Sequence, residues 1–250
     1  RQIEEISIDG MTPSQQLAAI REAVVELEAA QQDVWQDLRE ELAQERIVLA
    51  DGKRLTPDQA RWLRDYFVKH IVPVITPQAI DPAHPFPFVA NQGMGILFPL
   101  IRASDGARVM EMVLIPQALP RFIRLPGDVA TYISIEDLLC RKAALLFPGF
   151  RVLGNGVFRI LRDSDLEIEE DAEDLVRYFR TAIQRRRRGS VILLQLQADI
   201  EPEVEQLLRE QLHLDRAMVM KTRGIVGISG LSALVDEDRP DLKFEPYSPR

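Results

Sequence analysis

Three histidines and one run of arginines are the residues of this chain best suited to do chemistry. His70, His84 and His213 lie far apart, and none has a second His, or a Cys, at ligand spacing, which argues against a zinc site. His70 and His213 each fall where a helix should end, and an imidazolium there complements the negative end of the macrodipole. His84 differs, because it is held between Pro82 and Pro85, close to Asp81, so stiff backbone presents its ring. Two roles fit it: contact with a phosphate or a neighbouring domain, or a hydrogen bond to backbone that fastens the loop. It is not read as a phosphoryl acceptor, since no Arg or Lys cluster adjoins it in sequence. Arg185, Arg186, Arg187 and Arg188 form the concentrated basic feature. Guanidinium forks grip phosphate oxygens in pairs. The same four charges also suit a helix C-terminus closed by Gly189, with Asp171 and Asp174 on preceding turns as ion-pair partners.

Two glycine-rich stretches do not read as phosphate cradles. Gly154-Asn155-Gly156 sits inside a strand pattern, lacks the third glycine of a dinucleotide fingerprint, and reads as a hairpin turn or bulge. The segment Gly224 to Gly230 has no Gly-Lys-Ser/Thr, and its end reads as the start of a short last helix.

The elements that must position these groups begin with a proline-dense connection. Ile75 to Phe88 holds Pro77, Pro82, Pro85 and Pro87, a density that neither a helix nor a central strand survives. Ile80, Phe86, Phe88 and Val89 are too apolar to leave in water, so the segment is expected to be shaped and packed. Before it, Thr12-Pro13 and Thr56-Pro57 each set a helix start with threonine at the N-cap and proline at the first position. The first helix is expected to run to about residue 45, with Leu17, Ile20, Val24, Leu27, Val34, Leu38 and Leu42 forming one apolar stripe. The second carries Leu63, Phe67 and Ile71. A helical hairpin packed in a bundle is the expectation; a free-standing parallel coiled coil is the alternative, against which the heptad phase slips between Leu38 and Leu42.

After residue 88 strands and helices alternate irregularly. A hairpin is expected from 95–101 and 107–115 about Asp105-Gly106, then short strands at 121–125 and 131–133. A helix capped by Ser134, a strand at 150–162, a helix at 171–188, a strand at 191–196 and a helix from Pro202 follow. The fold class is therefore α+β: an N-terminal long helical hairpin, then a mixed, mostly antiparallel α+β unit. The expected division is 1–80, 81–238 and a linker-like 239–250.

The chain has 46% hydrophobic and 28% charged residues and a net charge of -8. That composition is globular, and the acidic balance argues against nucleic acid as a partner. The lone Cys140, in an apolar stretch, reads as a buried reduced thiol. No stretch is long and apolar enough for a transmembrane segment. The expected location is cytoplasmic, with membrane association left open. Arg1 at the start and the proline-rich end read as an excised piece of something longer.

One set of short motifs points to a family. Thr76-Pro77, Asp81-Pro82, His84-Pro85-Phe86-Pro87-Phe88 and Asn91 stand in order, followed by Pro120-Arg121-Phe122, Arg187-Arg188-Gly189 and Arg239-Pro240-Asp241-Leu242-Lys243. In these motifs the chain resembles the bacterial polyphosphate kinases that use a phosphohistidine, collinearly over most of its length. The resemblance implies the later part of a helical N-terminal domain and the whole head domain. It also implies that the catalytic histidine and its magnesium- and phosphate-binding partners lie in phospholipase D-like C-terminal domains, so no catalytic residue is carried onto this sequence. ATP and magnesium are expected for the full-length enzyme and no cofactor for this portion. Implied partners are a second copy through the head domain, the C-terminal domains of the same chain, and polyphosphate. A stand-alone helical interaction module without enzymatic role is the alternative.

Overall fold

The computed structural model describes residues 6, 8–51, 55–81, 85–163, 189–245 and 247. Helix α1 (Pro13–Gln44) opens on a capping box, in which the Thr12 hydroxyl accepts from Gln15 N–H and the Gln15 side chain accepts from Thr12 N–H. Arg46, in a left-handed conformation (φ 64°), turns the chain directly into strand β1 (Ile47–Leu49). Helix α2 (Pro57–Tyr66) repeats the same capping box with Thr56 and Gln59, and continues as a π-helical turn, Phe67–Ile71.

Leu63, Phe67 and Ile71 are buried in a core shared with the main sheet, while α1 buries Trp35 in a separate cluster with Ile47, Phe122 and Tyr132. The two helices thus follow one another as expected, but each packs on sheet rather than sharing a core with the other. Burying Phe67 completely contributes about 2–3 kcal/mol.

The main sheet contains β2 (Gln78–Ile80), β3 (Met94–Arg102), β4 (Arg108–Leu114), β7 (Phe150–Val152), β8 (Gly156–Arg162), β9 (Val191–Gln197) and β10 (Val219–Thr222). Its order is β10-β9-β8-β3-β4-β2, with β7 also on β3, and every pairing is antiparallel except β9 with β10. Strand β3 is apolar on both sides because both sides are covered. Ile96, Phe98 and Leu100 face the core with α2, α3 (Ile135–Arg141) and α4 (Ala143–Leu146). Leu97 faces the opposite core, against Val204 and Leu208 of α5 (Pro202–Leu212).

Strands β7 and β8 run along the same edge of β3. They are one strand interrupted where Pro99 of β3 has no N–H to give, and the Leu153 N–H donates instead to the Pro99 carbonyl. Three residues, 153–155, span the gap opposite Phe98 and Pro99; of the hairpin turn or bulge expected at Gly154-Asn155-Gly156, it is the bulge. A smaller sheet has the order β1-β6-β5, with β5 (Phe122–Arg124) and β6 (Ala130–Ser134) antiparallel and β1 parallel to β6. The architecture is α+β with mostly antiparallel pairing.

Near the far end, Arg239 donates to the Glu45 carbonyl oxygen and to the Glu45 carboxylate at 3.1 Å, while Asp241 grips the same guanidinium at 2.7 Å. The residues just past α1 are thereby joined to the segment at 239–241. Among the described residues, no helix is long and apolar enough to cross a membrane.

Candidate functional site

His84 and Arg185 to Arg188, the expected phosphate contacts, lie outside the described residues. The chain that follows each of them is described, and both stretches meet at one side chain. Arg162, at the end of β8, donates from Nε to the Val89 carbonyl at 2.7 Å and from Nη1 to the Gly189 carbonyl at 2.7 Å. Its guanidinium also stacks 4.6 Å from the Phe88 ring centroid, and the Arg162 backbone N–H donates to Asn91 Oδ1 at 2.8 Å. Burial lowers the Arg162 pKa, yet the carbonyl oxygens compensate part of the lost hydration. Gly189 is required here: a Cβ would stand 1.9 Å from the Asp163 carbonyl oxygen.

A second feature is a cleft of about 1230 Å³ between α1 and the α5–β10 unit. It arises because β9, α5 and β10 form a parallel crossover and α1 lies across it. At its floor a buried polar network replaces apolar packing. Glu28 Oε1 accepts from Gln195 Nε2 and Thr222 Oγ1, each at 2.9 Å, and from Gln32 Nε2 at 3.3 Å. Gln195 Oε1 accepts from the Gly227 N–H at 3.2 Å. Gln32 in turn pairs with both backbone groups of Ile225, at 3.0 and 3.1 Å. Gln195 and Thr222 are 5% and 1% exposed, so these partners decide whether burial is tolerable.

The glycine-rich segment 224–230 takes its composition from this network. A Cβ on Gly224 would stand 2.0 Å from Gln32 Oε1, and one on Gly230 would stand 2.3 Å from Arg121 Nη1. Arg121 donates to the Val226 and Gly227 carbonyls and is ion-paired to Glu136 at 2.7 Å in a largely buried setting. Its neighbour Arg159 has a pKa lowered by burial first and by the Arg121 charge second. These glycines are sites of close approach by side chains, which accounts for glycine at both positions. Nothing in sequence spacing pointed to Arg121, Gln32 or Gln195 as the groups that hold it.

The rim of the cleft is mixed: Arg209, His213, Arg216, Lys221 and Arg223 alternate with Asp33, Glu205, Glu210 and Asp215, and Lys221 is paired with Glu205 at 2.8 Å. His213 caps α5 in a left-handed conformation, the helix-end position expected of it. Arg209 Nε is buried without a hydrogen bond. The cleft brings together no nucleophile with a base among the described residues. Among the described residues, no group of three or more His, Cys, Asp or Glu is placed to hold a metal. Burial, with Asp137 and Glu136 nearby, pushes the Cys140 thiol up to about 12, so it stays protonated and unreactive.

The family model of the polyphosphate kinase middle domain matches residues 58–234, and that of the polyphosphate kinase N-terminal domain matches residues 1–50. The chain belongs to the polyphosphate kinase family. A polyphosphate kinase of Erythrobacter litoralis is 55% identical over 250 residues, which is all of this chain and 35% of that protein. Polyphosphate kinase 1 of Chlorobaculum tepidum is 35% identical over 99% of this chain and 37% of its own length. The crystal structure of the Porphyromonas gingivalis polyphosphate kinase superposes with a TM-score of 0.74 at 20% identity, over 94% of this chain and 34% of that one; it shares the fold. The chain therefore spans about a third of the length of the polyphosphate kinases it matches.

Proposed function

We propose that this chain is the helical and head portion of a polyphosphate kinase that, at full length, reversibly transfers the terminal phosphate of ATP to polyphosphate through a phosphohistidine. In this reading the 250 residues support dimer assembly and frame the polymer path, while ATP, magnesium and the phosphorylated histidine belong to C-terminal domains of the same polypeptide. The observation that carries it is the family match over residues 58–234. The convergence of Val89 and Gly189 on Arg162 supports a polymer-facing role, because it ties together the chain leaving the His84 loop and the chain leaving the four arginines.

The test is the mass of the purified chain in solution, with and without long-chain polyphosphate. The expected result is a dimer whose mass shifts with polymer in a salt-sensitive way, with the shift lost when Arg185 to Arg188 are changed to Gln. A dimer indifferent to polymer removes the arginines from the path and leaves assembly. No ATP-dependent polymer synthesis is expected from the 250 residues alone; measurable synthesis would overturn the division of labour. The second reading, a helical interaction module with no enzymatic role, is favoured by the exposed apolar residues of α1. It predicts a monomer that ignores polymer altogether.

A further inference from the structure

Helix α1 ends without a cation of its own. Its last turn carries no base, and Glu40, Glu41 and Glu45 stand at the end that the macrodipole makes negative. Arg239 supplies the missing charge. Its Nη1 donates to the Glu45 carbonyl, one of the acceptors a helix C-terminus leaves open, and its Nη2 to the Glu45 carboxylate at 3.1 Å. Asp241 accepts from Nε at 2.9 Å and from Nη2 at 2.7 Å, so the guanidinium fork is held from two sides.

The same segment is fixed at a second point. The Glu237 carboxylate accepts from the Tyr132 hydroxyl on β6 and from Arg124 on β5. Between the two anchors the chain closes on itself. The Glu237 carbonyl accepts from the Arg239 N–H at 2.8 Å and from Lys243 Nζ at 2.7 Å. The Leu242 and Lys243 N–H groups donate to the Arg239 and Pro240 carbonyls at 3.1 and 3.2 Å, and Pro240 restricts φ where this turn begins. Residues 237–243 therefore form one stiff block. The N-terminal domain match stops at residue 50 and the middle domain match at residue 234, so the block lies past both. It nevertheless grips both, Glu45 in the first and Arg124 with Tyr132 in the second. A chain continuing from this block starts with its position and direction set relative to the two domains together.

We propose that Arg239 is a positioning residue for phosphoryl transfer to polymer, an inference that rests on the reading of this chain as part of a longer kinase. In that reading the phosphorylated histidine follows in the same polypeptide and the head frames the polymer path. The reaction then has two halves. First the imidazole nitrogen attacks the terminal phosphorus of ATP, a P–N bond forms, and ADP leaves with the electron pair of the broken P–O bond. Next a terminal phosphate oxygen of the polymer attacks the same phosphorus; a P–O bond forms, and the P–N electron pair returns to the imidazole. The second half needs the polymer end in line with the histidine, and that alignment depends on how the two parts of the chain are set against each other. Arg239 acts on the second half and leaves the first alone.

The test uses the full-length protein with Arg239→Gln. Labelling of the protein by ATP carrying a radioactive terminal phosphate should proceed at the native rate. Discharge of that label to added long-chain polyphosphate should be roughly tenfold to a hundredfold slower. Glu45→Gln should lose less, because the carbonyl remains. Glu45→Cys combined with Arg239→Cys, bridged by a short bismaleimide, should recover the discharge rate, while neither single cysteine variant does so. The native Cys140 is buried, its thiol pushed up to about 12, and does not compete. Unchanged discharge in Arg239→Gln overturns the proposal. Equal loss of both halves also overturns it, since that reports a damaged fold, and so does a bridged pair that stays slow, since the guanidinium itself is then what the polymer needs. A native full-length protein that takes no label from ATP sinks the functional reading and this inference with it; normal labelling with unaltered discharge sinks this inference alone.

Discussion

Arg162 makes two charge-assisted bonds to carbonyls, each to a residue that follows an expected phosphate contact, and stacks on Phe88 as well. Arg162→Ala should lower stability by about 2 kcal/mol, read as a fall in urea midpoint at unchanged m-value. Arg162→Lys should recover little, since a single ammonium cannot serve both carbonyls and the ring. That the described part of the proline-dense segment is non-helical was legible, because proline restricts its own φ and its predecessor; that Phe88, expected to be packed away, stays 51% exposed was not. Arg162 was not, because bonds to carbonyls 73 and 27 residues away leave no local pattern. Tyr132 and Glu237 form a second pair that sequence does not announce. The Tyr132 hydroxyl donates to the Glu237 carboxylate, and Arg124 donates to it from outside. Burial, then the Glu237 bond, pushes Tyr132 from 10.0 up to about 12, and the Tyr132 bond lowers Glu237 below 4.5. A raised folded pKa means the Tyr132 contribution is complete below pH 10 and is lost as pH rises through about 12. The depressed Glu237 pKa has the opposite sense: its contribution is complete above 4.5 and is lost as pH falls through the lower folded value. Unfolding measured across both windows should show both declines, with the alkaline one removed in Tyr132→Phe and the acid one in Glu237→Gln.

Helix α1 shows why hydrophobic periodicity can find an element and still choose the wrong face. Its length, start and end were readable from Thr12-Pro13 and the absence of helix breakers, and the apolar stripe marked it as amphipathic. The face it docks on the body is instead Glu28, Gln32 and Trp35, and polar groups carry much of that attachment. A buried amide pairing with a backbone segment 193 residues away has no periodic signal. The hairpin of β3 and β4 was legible, because Asp105-Gly106 supplies the turn and both strands are largely apolar; an irregularity at Gly154-Asn155-Gly156 was legible too, but its cause, the missing donor of Pro99 across the sheet, was not. Strand β10 was missed: Val-Met-Lys-Thr is short, and its partner is β9 across α5. Gly95 tests how tightly β3 and β8 are packed. A Cβ there would meet the Phe158 ring at 2.6 Å, so Gly95→Ala should cost about 1–3 kcal/mol by overpacking, seen as a lower Tm.

The class of the whole molecule and its family were legible because they rest on repeated signals: strand and helix alternation, and motifs spread from Thr76 to Lys243. What was not legible is how remote segments are joined, since each joint uses one or two polar side chains. The Arg239 clasp on Glu45 and the Thr222 bond to Glu28 each span 194 residues, the widest of the hydrogen bonds described. Tension applied to the chain beyond residue 241 is therefore shared between two anchors, the base of α1 at Glu45 and, through Glu237, the small sheet at Arg124 and Tyr132. The segment at 239–241 is in this way coupled to the base of a 32-residue helix.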